Sequence, residues 1–149
     1  MQEKPPCDIL LVEDNPADLR LAQEVLREAN LHEGLMVARD GEQAMKMIRR
    51  EGEYANLREP NLVLLDLNLP RKHGRDVLKE IKSDPRFRRI PVIILSTSKA
   101  ESDVNACYDA HANCFLTKPV AIDEFAKLTQ LIREFWFNTA QLPLKTTPP

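Results

Sequence analysis

The chain has 149 residues, 43% hydrophobic and 30% charged, which suits one compact globular domain and argues against disorder. Its 21 Lys and Arg against 23 Asp and Glu give a formal charge of −2. They are spread along the chain, so there is no electrostatic footprint for nucleic acid or an anionic membrane. The apolar runs are far too short to span a bilayer, and residues 1–6 lack the apolar core of a signal peptide.

The first apolar run, Ile9-Leu10-Leu11-Val12, reads as a strand buried on both faces. Behind Asp14 and Pro16 as start signals, Leu19, Ala22, Val25, Leu26 and Ala29 recur at helical spacing. Leu35-Met36-Val37-Ala38 is a weaker strand candidate, and Asp40 caps a helix carrying Ala44, Met47 and Ile48. Leu62-Val63-Leu64-Leu65 is the next strand, followed by a helix with Val77, Leu78 and Ile81 that stops at Pro85. Val92-Ile93-Ile94-Leu95 follows, and Ser98 with Glu101 forms a possible capping box for a helix bearing Val104, Cys107 and Tyr108. Cys114-Phe115-Leu116 is the last strand, and Ala121, Phe125, Leu128 and Ile132 line the last helix.

Five such βα units predict a doubly wound α/β sandwich. A five-stranded parallel sheet carries helices on both faces, because right-handed crossovers place them there. The expected organisation is an extension over 1–6, one domain over 7–139, and a loose Pro- and Thr-rich tail over 140–149. Cys7, Cys107 and Cys114 are odd in number without CxxC spacing, so they read as small buried hydrophobes in a reducing compartment. Arg86, Arg88 and Arg89 fit a solvated loop about as well as a phosphate contact.

The residues that end the strong strands carry chemistry. Glu13-Asp14 follow the first, Asp66 the third, Ser96 the fourth and Thr117-Lys118 the fifth. Open α/β sheets build their sites outside the carboxyl ends of the strands, so these side chains should meet at one edge. Three neighbouring carboxylates repel one another unless a cation sits among them. An all-oxygen set without His or Cys suits Mg²⁺. A lysine and a serine hydroxyl can hold phosphoryl oxygens, which makes phosphoryl transfer the expected chemistry.

These residues resemble the receiver domain of two-component response regulators, a flavodoxin-like fold, from about Asp8 to the last helix. Ile9-Leu10-Leu11-Val12-Glu13-Asp14-Asn15 is similar to the family's first strand and acidic pair. Asp66-Leu67-Asn68-Leu69-Pro70 with Gly74 is similar to the phosphoacceptor loop, and Lys118-Pro119 to the lysine–proline pair whose bond is typically cis. The resemblance implies Asp66 as the phosphoacceptor, with a sensor histidine kinase as donor. It implies Glu13, Asp14, Asp66 and the Asn68 carbonyl as Mg²⁺ ligands, Ser96 and Lys118 on the phosphoryl oxygens, and Ser96 with Phe115 as the switch. Chemistry would be limited to Mg²⁺-dependent self-phosphorylation and slow self-dephosphorylation. Two features depart from the common pattern: His111 where glycine is frequent, and the basic pair Lys72-His73.

The segment Glu-Asp-Asn-Pro-Ala-Asp-Leu-Arg-Leu and the later Glu134-Phe135-Trp136-Phe137 resemble more narrowly the single-domain regulators of phytochrome-type sensor kinases. Consecutive helical residues point about 100° apart, so Phe135, Trp136 and Phe137 cannot all face one core. At least one should lie exposed on a homodimer face. The expected setting is cytoplasmic, with a possible downstream phosphorelay protein and no DNA or membrane partner.

Three rivals use the same residues or fold. A receiver-like module could bind without being phosphorylated. A haloacid-dehalogenase-type phosphatase would need an acid where Asn68 stands. A flavodoxin-like nucleotide binder would need a Gly-rich loop after the first strand.

Overall fold

The computed structural model describes residues 8–97, 100–143 and 145. In chain order it runs β1 (Ile9–Val12), α1 (Pro16–Glu28), β2 (Leu35–Ala38), α2 (Gly41–Arg49), β3 (Leu62–Asp66), α3 (Gly74–Ser83), β4 (Val92–Ser96), α4 (Glu101–Asp109), β5 (Cys114–Thr117) and α5 (Ile122–Ile132). A 3-10 turn, Gly52–Tyr54, precedes β3, and α5 continues as a π-helical segment, Arg133–Thr139. The strands are all parallel in the order β2-β1-β3-β4-β5. The chain reverses its winding between β1 and β3, the point at which doubly wound sheets bind ligands.

Strand side chains alternate between two cores, as the period of two requires. Leu10, Val12, Val63, Leu65, Val92 and Ile94 pack with the buried faces of α2, α3 and α4. Ile9, Leu11, Leu62, Leu64, Ile93 and Leu95 pack with α1 and α5. These strands are apolar on both faces because both are covered.

The helix ends follow local chemistry. Asn15, not Asp14, caps α1: its Oδ1 accepts from the amides of Ala17 and Asp18 at 2.9 and 3.1 Å, with Pro16 opening the helix. That leaves Asp14 outside the cap. Asp40 caps α2 as expected, accepting from the Gln43 amide at 2.7 Å. Exposed His73 caps α3, its Nδ1 accepting from the Arg75 amide at 3.1 Å. The helix stops at Ser83, since Asp84 before Pro85 is extended.

His111 adopts φ 73°. It stands just past α4, where its amide donates to the Tyr108 carbonyl at 2.9 Å and the Ala112 amide to that of Cys107 at 3.0 Å. This left-handed helix stop accounts for glycine being frequent at such a position.

Several expectations change. Ala121 is the exposed residue before α5 rather than part of its buried stripe, because the helix begins at Ile122. Helix α4 begins at Glu101, so Glu101 stands at the first helical position and not the third that a capping box requires. Ser98 lies outside the described residues, as do Cys7 and most of the terminal segments. Among the described residues no peptide bond is cis, so Lys118-Pro119 is trans. That isomer is favoured by roughly 0.5–1 kcal/mol for X–Pro bonds, and here it is compatible with the ion pairs that hold Lys118. Cys107 is buried and Cys114 half-buried, both as free thiols. Arg86 is bound to Asp84 at 2.8 Å and lies over the Phe87 ring, so it is held as a loop contact.

Candidate functional site

Each strand end delivers its side chain to the same edge. Glu13 leaves β1 with its amide on the Ala38 carbonyl of β2 at 3.0 Å, and its side chain turns inward, only 4% exposed. Asp14 follows it at the rim, exposed. Asp66 ends β3, half-buried, and its Oδ1 accepts from the Asn68 amide at 3.1 Å. Oxygens of Glu13, Asp14 and Asp66 lie within 4.8 Å of one another.

Gly74 lets α3 begin directly against this loop. Its amide donates to the Leu67 carbonyl at 2.9 Å, and a side chain there would strike the Asp66 carbonyl oxygen and Leu67 Cα. The loop after Asp66 is therefore clamped by a backbone contact that excludes any larger residue.

Ser96 ends β4 fully buried, one residue past Leu95, the partner of Asp66 in the ladder. Its carbonyl accepts from the Lys118 amide at 2.8 Å, which fixes the end of β5 beside it. Phe115, on β5, is partly buried against the α2–α4 core.

Lys118 is the hub. Its ammonium, on a residue only 8% exposed, contacts Glu13 Oε1, Asp18 Oδ2 at 2.9 Å and Asp66 Oδ2 at 3.4 Å. Burial alone would lower the lysine pKa, but the hydrogen bonds to Glu13 and Asp18 outweigh it and hold the group protonated. Burial raises the Glu13 pKa to about 7, with Lys118 opposing and Asp66 reinforcing the shift. The edge thus carries a surplus of carboxylate over cation.

The donor set is hard oxygen throughout and fits a divalent cation that keeps part of its water shell, as Mg²⁺ does. Glu13, Asp14 and Asp66 are the side chains that would hold it.

Sequence reasoning brought Glu13, Asp14, Asp66, Asn68, Ser96 and Lys118 to this edge, and all are found there. It missed Asp18. No local signal marks it, because Asp18 meets Lys118 across 100 residues of sequence.

The sequence of residues 9–130 matches the response regulator receiver domain family. The chain is 50% identical over 142 residues to the response regulator Rcp1 of Synechocystis sp., covering 95% of this chain and 97% of Rcp1. Its fold superposes on the crystal structure of the phosphorylated cyanobacterial phytochrome response regulator RcpA with a TM-score of 0.89 and 50% identity, covering 94% of this chain and all of RcpA. The Mn²⁺-bound crystal structure of Rcp1 matches with a TM-score of 0.86 at 50% identity, over 93% of this chain and all of that one. With its acid cluster at the switch point of a β2-β1-β3-β4-β5 sheet, this chain belongs to the response regulator receiver domain family.

Proposed function

We propose that the chain accepts a phosphoryl group from a sensor histidine kinase onto Asp66, with Mg²⁺ held by Glu13, Asp14, Asp66 and the Asn68 carbonyl. The observation that carries this reading is the crowding of Glu13, Asp14 and Asp66 at the end of β1 and β3, with a buried lysine already touching two of them. An Asp66 carboxylate oxygen attacks phosphorus, a P–O bond forms, the P–N bond of the phosphohistidine breaks, and imidazole leaves with the electron pair. Bound Mg²⁺ supplies charge neutralisation for the donor and the acids. Lys118 and Ser96 hold phosphoryl oxygens, and chemistry is confined to this step and a slow self-dephosphorylation.

Incubation with acetyl phosphate and Mg²⁺, read by intact mass, tests it. Wild type should gain one phosphoryl group, Asp66→Asn none, and Asp14→Ala should need far more Mg²⁺. Phosphoryl gain by Asp66→Asn without a new site on a neighbouring acid would overturn the assignment.

The kinase is of the phytochrome type on this reading, supported by the likeness to RcpA and Rcp1. The setting is cytoplasmic, consistent with the finding that no described helix is long and apolar enough to cross a membrane. Output runs through protein contacts, including a possible phosphorelay partner, and not through DNA. Ser96 moves toward the phosphoryl group and Phe115 turns into the space it leaves, tipping a packing equilibrium of a few kcal/mol. Ser96→Ala should still be phosphorylated at Asp66 but should lose the change in partner affinity.

A homodimer through the C-terminal helical face completes the proposal. Leu131 and Phe135, four residues apart, are 62% and 54% exposed, and such paired apolar exposure suits an interface. Trp136 stacks edge-on against Phe135, yet it and Phe137 also pack partly on the chain's own α1–α5 core. Phe135 is therefore the anchor that substitution should target. Leu131→Glu with Phe135→Glu should shift the light-scattering mass to a monomer and leave phosphorylation intact. A wild-type chain that stays monomeric at high micromolar concentration, phosphorylated or not, would contradict it.

A further inference from the structure

Among the partners of Lys118, Asp18 differs in kind. An ammonium has three N–H donors, and here its carboxylate partners are Glu13, Asp18 and Asp66. Glu13 and Asp66 belong to the acid triad that suits a divalent cation, and Asp18 does not. Once a cation occupies the triad, Glu13 and Asp66 share their charge with it, and Asp18 is the partner whose charge stays with Lys118.

Asp18 is also rigidly based. It lies in the first turn of α1, its amide held by the Asn15 cap at 3.1 Å, and its neighbour Leu19 is buried against the sheet. Lys118 is fixed at its backbone by the 2.8 Å bond to the Ser96 carbonyl, so only its flexible stem can swing. The ammonium stands 2.9 Å from Asp18 but 3.4 Å from Asp66.

We propose that Asp18 is a positioning residue: it holds the Lys118 ammonium beside α1 and competes for it with the phosphoryl group on Asp66. A phosphorylated Asp66 presents additional anionic oxygens, and an ammonium drawn toward them is drawn against its 2.9 Å contact with Asp18. The strength of the Asp18 pair therefore sets how fully Lys118 supports the phosphorylated state. Asp18 is 41% exposed at its side chain, and an ion pair of that kind shifts an equilibrium by up to about fivefold.

The inference rests on the reading of Asp66 as phosphoacceptor, and the test separates the two. Full-length wild type and Asp18→Asn are titrated with beryllofluoride, which mimics a phosphoryl group on a carboxylate, at saturating Mg²⁺ and at low and high salt. Asp18→Asn should bind the analogue roughly two- to fivefold tighter. The gain should persist in high salt, because a contact with a buried ammonium is screened little. Equal or weaker binding overturns the proposal. So does a gain that vanishes in high salt, which would mark a general field of the removed charge. Asp18→Glu, which keeps the charge, should bind less tightly than Asp18→Asn, and equal tightening in both would also overturn it. Failure of wild type to bind beryllofluoride would instead remove the Asp66 reading, and this inference with it.

Discussion

At the carboxyl edge of the sheet, one ammonium, Lys118, stands among Glu13, Asp14, Asp18 and Asp66. At the amino edge, one carboxylate, Asp8, lies between Arg58 at 3.1 Å and Lys145. Asp8 is fully buried at the start of β1, where its amide and carbonyl also pair with Asn61. Both edges bury charge, but at the amino edge the buried Asp8 carboxylate is matched by cations of the chain itself. The carboxyl edge is short of positive charge, and its acids are arranged as a divalent cation would need them. That contrast separates a structural ion pair from a site.

The largest effect should come from breaking the closed edge. Arg58→Met with Lys145→Met leaves the Asp8 carboxylate buried without a cation, and should destabilise the fold by about 3 kcal/mol. Asp8→Asn should cost less, about 1 kcal/mol, because the two freed cations are partly exposed and can rehydrate. Urea unfolding of the three proteins checks the order. A double cation variant as stable as wild type would show that the Asp8 cluster is not closed in the way described.

The same Asp→Asn exchange should have the opposite sign at the other edge. Asp66→Asn removes one charge from a crowded set and should raise metal-free stability by about 1 kcal/mol, while abolishing phosphorylation. A loss of stability in Asp66→Asn would mean that the acids are not in mutual strain.

The sharpest effect is on pH. Burial raises Glu13 from 4.5 to about 7 in the folded chain, so the folded state holds a proton that the unfolded state has lost between those values. The Glu13 contribution to metal-free stability is fully present below about 4.5 and disappears as pH rises through about 7. The difference in stability between wild type and Glu13→Gln should therefore change across that window. Mg²⁺ must displace the same proton, so its apparent affinity should rise from about pH 6 to about pH 8, by less than about tenfold per unit. Calorimetric titration at several pH values checks this, and a flat profile would contradict it.

Much of this was legible in the chain because it depends on local pattern. Val63 and Leu65 face one core while Leu62 and Leu64 face the other, and an unbroken apolar run announces a strand with both faces covered. Asp66 and Lys118 were legible for a related reason, since Asp66 ends such a run and Lys118 follows Thr117 at the end of the last strand. What escaped depends on contacts between distant segments. Asp18 meets Lys118 across 100 residues, and nothing local to α1 says that its first-turn acid faces a lysine past β5. Lys145 returns to Asp8 across 137 residues, although a Pro- and Thr-rich tail reads as loose. The aromatic run after α5 is divided between Phe135 outside and Trp136 and Phe137 partly inside by a π-helical turn. The 3.6-residue pattern does not anticipate that turn.

The most direct test of the central claim is to locate the phosphoryl group. After reaction with acetyl phosphate and Mg²⁺, an aspartyl phosphate can be reduced with borohydride to homoserine and the protein mapped by peptide mass spectrometry. The account predicts homoserine at position 66, dependent on Mg²⁺. Reduction at Glu13, Asp14 or Asp18 with Asp66 intact, or no reducible acyl phosphate at all, would contradict it.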